Sequence, residues 1–165
     1  MCELFSISSR VPTSVTFSLE RLARHGRNNG PHDGWGVAFY DGNDVSLFRE
    51  PEPASESKLV QYIEQDSPPS PMIISHIRAA TQGDRVLRNT HPFARELAGR
   101  QHVFAHNGDL RGIESDPDFT PDRYHPVGDT DSELAFCILL NRLTHLWEAG
   151  QGIIPSLEAR LDLSH

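Results

Sequence analysis

Residues 72–81 read Met-Ile-Ile-Ser-His-Ile-Arg-Ala-Ala-Thr, and the interpretation of the whole chain starts from this stretch. Its first six residues are mostly apolar and follow the turn Ser-Pro-Pro-Ser-Pro, which predicts a buried β-strand. Arg78 comes directly after this strand. An arginine at a strand end can reach over a cleft and bind a carboxylate through two parallel hydrogen bonds. The alternative is a surface ion pair, which is the more common role of an isolated arginine.

The sequence on both sides of this stretch predicts further strands with helices between them. The predicted strands cover residues 2–9, 34–40, 45–49, 72–77 and 102–107. The predicted helices cover residues 14–24, 55–65, 130–147 and 155–163. Loops are predicted at 25–33 and, because periodic apolar positions are few, over the long span 78–100. About five strands, with helices placed between hairpins, indicate an α+β fold.

The composition restricts the class of protein. The chain has 165 residues, 37% apolar and 23% charged, with a mean hydropathy of −0.46, as in an ordinary globular protein of one domain. The net charge of −8 disfavours nucleic acids and anionic membranes as partners, because both require a basic surface. No apolar run predicts a transmembrane helix, and no signal peptide is evident. Two cysteines form no disulfide framework, so we expect a reduced, cytoplasmic protein.

The cysteine at position 2 is a candidate nucleophile. If Met1 is removed, the thiol of Cys2 and a free α-amino group belong to the same residue. That amine has a reference pKa of about 7.7–8.0 and could accept the thiol proton, directly or through a water molecule. On position alone, a small residue in a strand with no chemical role is the commoner explanation for such a cysteine.

Two further motifs carry groups that a cysteine nucleophile would need. Asn107-Gly108 offers a side-chain amide and a backbone N–H that could form an oxyanion hole, although Asn-Gly is also the commonest hairpin turn. Asp131 lies in the first turn of a helix that begins with the capping box formed by Thr130 and Glu133. Its carboxylate could bind a substrate ammonium group, or it could only interact favourably with the helix dipole.

The remaining motifs indicate structure rather than chemistry. Gly34-Trp35-Gly36 predicts a close approach of two backbones, with Trp35 in the core. Cys137 lies on the apolar side of its helix and is expected to be a buried structural residue. The nine histidines and two cysteines form neither a His-Glu-x-x-His nor a Cys-x-x-Cys pattern, and no glycine-rich phosphate loop occurs. We therefore expect no metal and no cofactor.

Each of these motifs is weak alone, but their combination and order resemble the class II glutamine amidotransferases of the N-terminal-nucleophile superfamily. The resemblance extends from residue 2 to about residue 147 and is nearest to the stand-alone YafJ-type branch. The motifs that carry it are Met1-Cys2, Asp33-Gly34-Trp35-Gly36, residues 76–81, Asn89-Thr90-His91-Pro92-Phe93, His106-Asn107-Gly108 and Asp129-Thr130-Asp131-Ser132-Glu133.

This resemblance implies a fold and a domain organisation. The fold would be a four-layer αββα sandwich of two antiparallel sheets, of the N-terminal-nucleophile hydrolase type. Residues 1–165 would form a single glutamine amidotransferase type 2 domain. The family domain usually continues further, with strands that complete the second sheet, so we expect this domain to be incomplete at the C-terminus.

The resemblance also implies roles in hydrolysis of the γ-carboxamide of glutamine. Cys2 would attack this group and form a γ-glutamyl thioester, while Asn107 and Gly108 would form the oxyanion hole. Arg78 would bind the α-carboxylate of glutamine, and Asp131 would bind its α-ammonium group.

Less directly, Thr81 and the loop at residues 91–93 would shape the glutamine pocket.

Three functions remain open at this stage. Ammonia could pass to a partner protein that contains an acceptor site. The same cysteine could instead hydrolyse a γ-glutamyl peptide or metabolite, because only the leaving group changes. A chain that is truncated or keeps Met1 could act through binding alone.

Overall fold

The computed structural model describes residues 2–15, 33–79, 83–115, 122–150 and 154–162. These ranges contain six β-strands, three α-helices and three short 3₁₀ turns. The strands are β1 (Glu3–Thr13), β2 (Gly34–Asp41), β3 (Asp44–Glu50), β4 (Ser70–Arg78), β5 (Phe93–Leu97) and β6 (Arg100–Phe104). The helices are α1 (Lys58–Gln65), α2 (Asp131–Ala149) and α3 (Leu157–Asp162), and the 3₁₀ turns cover Ala54–Glu56, Leu87–Asn89 and Ile113–Ser115.

The larger sheet is antiparallel, with the strand order β1-β4-β2-β3. The apolar strand β4 therefore pairs on both sides, as its sequence predicts. Ile77 of β4 lies opposite Glu3 of β1 and opposite Trp35 of β2. Because successive side chains alternate between faces, His76 and Gly36, which are also paired, project to the opposite face from Ile77. This register fixes which residues face each side of the sheet.

One face of the larger sheet packs against α1. Alternate residues of β2 and β4 supply the apolar side chains of the sheet, and α1 contributes two residues three positions apart, as an amphipathic helix does. The buried members of this core are Val15, Trp35, Val37, Phe39, Ala54, Val60, Ile63, Ile73 and Ile77. The Trp35 indole N–H also donates to the Glu50 carboxylate at 3.1 Å, so its polar atom is satisfied in the core.

The smaller sheet pairs β5 with β6 and packs against α2. The apolar residues of α2 recur at helical spacing and form a continuous face toward this sheet. The buried members of this second core are Phe93, Leu97, Tyr124, Phe136, Cys137, Leu140, Leu143 and Trp147. The rings of Phe104 on β6 and Phe136 on α2 stack with centroids 5.3 Å apart. Cys137 is fully buried, as the sequence predicts, and burial raises the pKa of its thiol to about 11.

The two sheet–helix pairs meet at Gly36. A Cβ atom at this position would lie 2.3 Å from the carbonyl oxygen of His91 and 2.9 Å from the Cδ atom of Pro92. No real Cβ atom tolerates a backbone contact that short, so only glycine lets the segment before β5 lie against this face of the sheet. The close backbone approach predicted from Gly34-Trp35-Gly36 is thus confirmed, with Trp35 in the core on the opposite face.

The α+β class and the two antiparallel sheets are confirmed, but the prediction of one long loop over 78–100 is wrong. Residues Phe93–Leu97 form β5 within that span and pair with β6. This strand has only five residues, and an arginine interrupts its apolar pattern. Arg95 lies between Phe93 and Leu97 and is neutralised by Glu133 of α2, at 2.5 Å. The partner of Arg95 is distant in sequence, so the apolar periodicity does not reveal the strand.

The helix predicted over 130–147 is confirmed as α2, with one change at its start. The Thr130 hydroxyl accepts a hydrogen bond from the backbone N–H of Glu133 at 3.2 Å, as a capping box requires. The Glu133 carboxylate does not complete the box. It instead accepts from the backbone N–H of Gly128 at 2.6 Å and pairs with Arg95. The predicted helix over 14–24 and loop over 25–33 lie outside the described residues, apart from positions 14, 15 and 33.

We expect Gly36→Ala to destabilise the protein by about 1–3 kcal/mol or more, because the added methyl group meets backbone that cannot move freely. Chemical denaturation followed by circular dichroism measures this change. Gly42→Asn is the matched control, because nothing lies within 4 Å of a Cβ atom there and asparagine tolerates the positive φ of +60°. Equal unfolding midpoints for the two variants would contradict the assigned contact between Gly36 and His91.

Candidate active site

Arg78 is the last residue of β4 and is almost completely buried. Its guanidinium group donates to the carbonyl oxygens of Asp84 at 3.2 Å and Gly83 at 3.1 Å, so the following loop holds the side chain in place. Burial lowers the pKa of Arg78, and the neighbouring Asp33 and Cys2 oppose this shift. The result is a fixed cationic group at the strand end, where the sequence predicts one.

Cys2 lies beside the end of β4, because the next residue, Glu3, pairs with Ile77. Its sulfur lies 3.2 Å from the backbone N–H of Ala79 and 3.2 Å from the carbonyl oxygen of the same residue. The side chain is partly exposed and not disulfide-bonded. A thiol in this position is accessible from the cleft and is held at a defined point relative to the residue that follows Arg78.

Asn107 and Gly108 follow β6 and reach the same place from the other sheet. The side-chain amide of Asn107 donates to the carbonyl oxygen of Cys2 at 3.0 Å. Gly108 has a φ of +148°, and a Cβ atom there would lie 3.2 Å from the ring of His106. Glycine therefore permits both the backbone conformation and the close approach of this segment to the cleft.

Asp131 is the first residue of α2, and its carboxylate is fixed by two elements. One oxygen accepts from the backbone N–H of Leu110 at 2.6 Å, and the other accepts from the backbone N–H of Ser132 at 2.7 Å. The Ser132 hydroxyl donates to the same carboxylate at 3.2 Å. These contacts orient the carboxylate, and the N-terminus of the helix favours its negative charge.

These side chains line one small cleft. Strand β4 and the residue before β1 supply its first side, while the segment after β6 and the start of α2 supply the other. The lining residues are Cys2, His76, Arg78, Ala79, His91, His106, Gly108, Thr130, Asp131 and Ser132. Asn107 joins this group through its hydrogen bond to Cys2. Of the residues predicted to shape the pocket, His91 lines this cleft, whereas Thr81 lies outside the described residues, as does Met1.

Three histidines line this cleft, and the sequence predicts a role only for His91, within the loop at residues 91–93; His76 and His106 have no predicted role. His76 is 1% exposed, and in the described parts of the chain neither ring nitrogen has a hydrogen-bond partner. Its ring packs against the ring of His91 with centroids 4.4 Å apart. The Nδ1 atom of His91 accepts from the backbone N–H of His106 at 3.3 Å, so this nitrogen carries no proton. The sequence does contain a signal that could have placed His76 near the cleft. His76 precedes Arg78 by two positions, so the two side chains project from the same face of β4.

Both packed histidines are neutral near pH 7. The pKa of His76 is lowered to about 4, mainly by burial and in part by the positive charge of Arg78. The backbone of His106 opposes this shift without forming a hydrogen bond of normal geometry. Burial also lowers the pKa of His91, to about 3, and the adjacent His76 ring and the positive charge of Arg78 contribute to this shift. Across the described ranges, no group of three or more His, Cys, Asp or Glu side chains is arranged to hold a metal ion.

Comparison with known proteins identifies the family of this chain. The family model for class II glutamine amidotransferases matches residues 1–161. The "putative glutamine amidotransferase YafJ" of Escherichia coli is 42% identical over 153 residues, which are 92% of this chain and 59% of that protein. A "putative glutamine amidotransferase" of Haemophilus influenzae is also 42% identical, over 96% of this chain and 53% of that protein.

A solved structure supports the same placement. The crystal structure of a predicted glutamine amidotransferase from Pseudomonas aeruginosa matches with a TM-score of 0.63 and 38% identity. It covers 98% of this chain and 61% of the other. The chain belongs to the class II glutamine amidotransferase family, and the resemblance to its stand-alone YafJ-type branch is confirmed. This chain spans little more than half the length of these relatives.

None of the described helices combines the length and the apolar composition needed to cross a lipid bilayer.

We expect the free energy of unfolding to fall as the pH drops from about 6.5 toward 4. The unfolded chain binds protons on His76 and His91 below about pH 6.5, whereas the folded protein resists them until about pH 4 and 3. Each histidine then contributes a loss of up to about 1.4 kcal/mol per pH unit. Urea titrations across this range measure the slope.

His76→Leu should make this slope shallower. His145→Leu, at an exposed position on α2, serves as the control and should keep the wild-type slope. The same slope in the wild type and in His76→Leu would contradict the assignment of a buried, neutral His76.

Proposed function

We propose that this chain hydrolyses the γ-carboxamide of glutamine and releases glutamate and ammonia. The observation that carries the proposal is the convergence of Cys2, Arg78, Gly108 and Asp131 on one cleft. These residues come from four separate parts of the sequence and two different sheet–helix pairs. A thiol, one fixed cation and one fixed anion around a single cleft match the three parts of glutamine that have to be recognised or attacked.

Substrate binding would use the two charged groups. The guanidinium of Arg78 is suited to the α-carboxylate of glutamine, because arginine binds carboxylates with paired N–H donors. The carboxylate of Asp131 is suited to the α-ammonium group. With both ends of the amino acid held, the flexible side chain of glutamine would extend toward the sulfur of Cys2. Binding energy would thereby be used to orient the γ-carbonyl for attack.

Activation of the nucleophile would depend on the removal of Met1. The freed α-amino group of Cys2 would then accept the proton of the thiol, directly or through water, and the sulfur would attack the γ-carbon. The carbonyl π electrons move to oxygen and produce a tetrahedral oxyanion. The amine returns its proton to the departing nitrogen, so ammonia leaves and a γ-glutamyl thioester remains. Water then attacks the thioester, which gives glutamate and regenerates the thiol.

The oxyanion would be stabilised by Asn107 and Gly108. The Asn107 amide carries two N–H donors, and its hydrogen bond to Cys2 needs only one of them. Its second donor and the backbone N–H of Gly108 would serve the negative oxygen. The contact between Asn107 and the Cys2 carbonyl also supports this role, because it ties the donor to the backbone of the nucleophile.

Ammonia would be released to solution or delivered to a partner protein with an acceptor site. A γ-glutamyl peptide or metabolite would react at the same cysteine with a different leaving group, so assays with γ-glutamyl peptides should accompany assays with glutamine. We further propose that the described elements belong to one glutamine amidotransferase type 2 domain. The proposed steps use groups of this chain and water.

Cys2→Ala should abolish the release of glutamate, because Cys2 supplies the one thiol among the described residues that line the cleft. Cys137→Ala is the control, since Cys137 is buried in the second core and should keep its activity in any preparation that folds. Glutamate release is measured on protein whose intact mass shows that Met1 has been removed. Full turnover by Cys2→Ala, or by protein that retains Met1, would overturn the proposed nucleophile or the proposed base.

Arg78→Ala should raise KM for glutamine by about tenfold to a hundredfold, because a hydrogen-bonded charge interaction of about 1.5–3 kcal/mol is lost. The matched control is Arg85→Ala, since Arg85 pairs with Glu52 on the surface and does not line the cleft. Steady-state kinetics of both variants measure the effect. An unchanged KM in Arg78→Ala would exclude its role in carboxylate binding.

A further inference from the structure

Asn89 is the last residue of a 3₁₀ turn and is completely buried. It lies in the Asn-Thr-His-Pro-Phe motif, yet it does not line the cleft around Cys2. A fully buried asparagine must satisfy its amide group within the protein, because an unpaired polar group there is costly. The partners that satisfy this amide connect the two charged groups of the proposed substrate site.

The amide nitrogen of Asn89 donates to the carbonyl oxygen of Asp84 at 3.1 Å. The same carbonyl oxygen accepts from the guanidinium of Arg78 at 3.2 Å. Asn89 therefore holds the loop that in turn holds Arg78. The carbonyl of Gly83, the residue before Asp84, provides the second hydrogen bond to the guanidinium.

The amide oxygen of Asn89 accepts from the backbone N–H of Asp129 at 2.9 Å. Asp129 precedes Asp131 by two residues, in the turn that leads into α2. The planar side chain of Asn89 thus connects the loop whose carbonyl oxygens bind Arg78 with the turn that precedes Asp131. An ion pair between Arg88 and Asp129, at 3.0 Å, lies on the exposed side of the same junction.

The glycines on both sides of this bridge show how tightly it is packed. A Cβ atom at Gly128 would lie 2.3 Å from the amide oxygen of Asn89, and one at Gly83 would lie 2.8 Å from its amide nitrogen. Both loops therefore present backbone without a side chain to this one amide. The Gly128 N–H is in addition fixed by Glu133, so the turn before Asp131 is held from two directions.

We propose that Asn89 is a positioning residue that sets the separation of Arg78 and Asp131. It thereby determines the preference for substrates that carry both an α-carboxylate and an α-ammonium group. This inference rests on the function proposed above, in which Arg78 and Asp131 bind those two groups. A bridge between the two binding groups matters most for a ligand that contacts both of them, and less for a ligand that contacts only one.

The test compares glutamine with glutaramate, the analogue that lacks the α-amino group. Asn89→Asp has the same shape but places a carboxylate oxygen against the Asp84 carbonyl in place of the N–H donor. We expect the KM for glutamine to rise about tenfold, because one buried hydrogen bond is replaced by a repulsive contact, with kcat changed much less. The ratio of kcat/KM for glutamine to that for glutaramate should fall by a similar factor.

Asn141→Asp is the matched control. Asn141 is also buried, and its amide likewise bridges backbone groups, accepting from the Tyr124 N–H at 3.0 Å and donating to the Tyr124 carbonyl at 3.2 Å. It does not line the cleft. The same chemical change there should lower stability but leave the KM and the glutamine-to-glutaramate ratio at the wild-type values.

The outcomes separate the inference from the function on which it rests. A wild-type protein that neither binds nor hydrolyses glutamine overturns both. A wild-type protein that prefers glutamine to glutaramate, with an Asn89→Asp variant that keeps the same ratio, overturns only the role of Asn89. A fall in the ratio for Asn141→Asp equal to that for Asn89→Asp would also overturn it, because the effect would then come from general destabilisation.

A measurement that changes neither asparagine covers the case in which Asn89→Asp does not fold. In isotope-labelled Cys2→Ala protein, saturating glutamine should shift the side-chain amide resonances of Asn89 more than saturating glutaramate does. The corresponding resonances of Asn141 should stay in place with both ligands. Asn89 resonances that do not move when glutamine saturates the protein would overturn the inference.

Discussion

The antiparallel register between β1 and β4 is the constraint on which the site depends. Glu3 lies opposite Ile77, and this pairing brings Cys2 to the end of β4, against the backbone of Ala79. A slip of one residue would turn every side chain of β1 to the other face and would direct the thiol away from Arg78. The position of the proposed nucleophile is therefore set by the same hydrogen bonds that hold the larger sheet together, rather than by a separate loop.

The second requirement is that the two sheet–helix pairs approach closely. The first pair supplies Cys2 and Arg78, and the second supplies Gly108 and Asp131, so neither contains a complete site. Their junction at Gly36 has no room for a side chain. Packing at this junction would thus act directly on the proposed chemistry, because any widening there would separate the thiol of Cys2 from Gly108 and Asp131.

The sequence predicted what depends on local pattern and left out what depends on distant partners. The strand that leads to Arg78 and the helix that begins at Asp131 follow from apolar periodicity and from the cap at Thr130. Strand β5 was missed because the partner that neutralises Arg95 lies far along the chain. The bridging role of Asn89 was missed for the same reason, since its two backbone partners are separated by more than forty residues.

The charges of the cleft are complementary to those of a zwitterion. Arg78 and Asp131 supply one positive and one negative group among its described lining residues. His76 and His91 could upset this balance, but burial and the neighbouring cations keep both rings neutral near pH 7. A proton on either ring would add positive charge beside Arg78 and near the amine proposed as the base. That charge would lower the pKa of the amine and favour ligands with a net negative charge. In the proposed mechanism, the neutral histidines therefore preserve both the selectivity for an amino acid and the basicity of the amine that would activate the thiol.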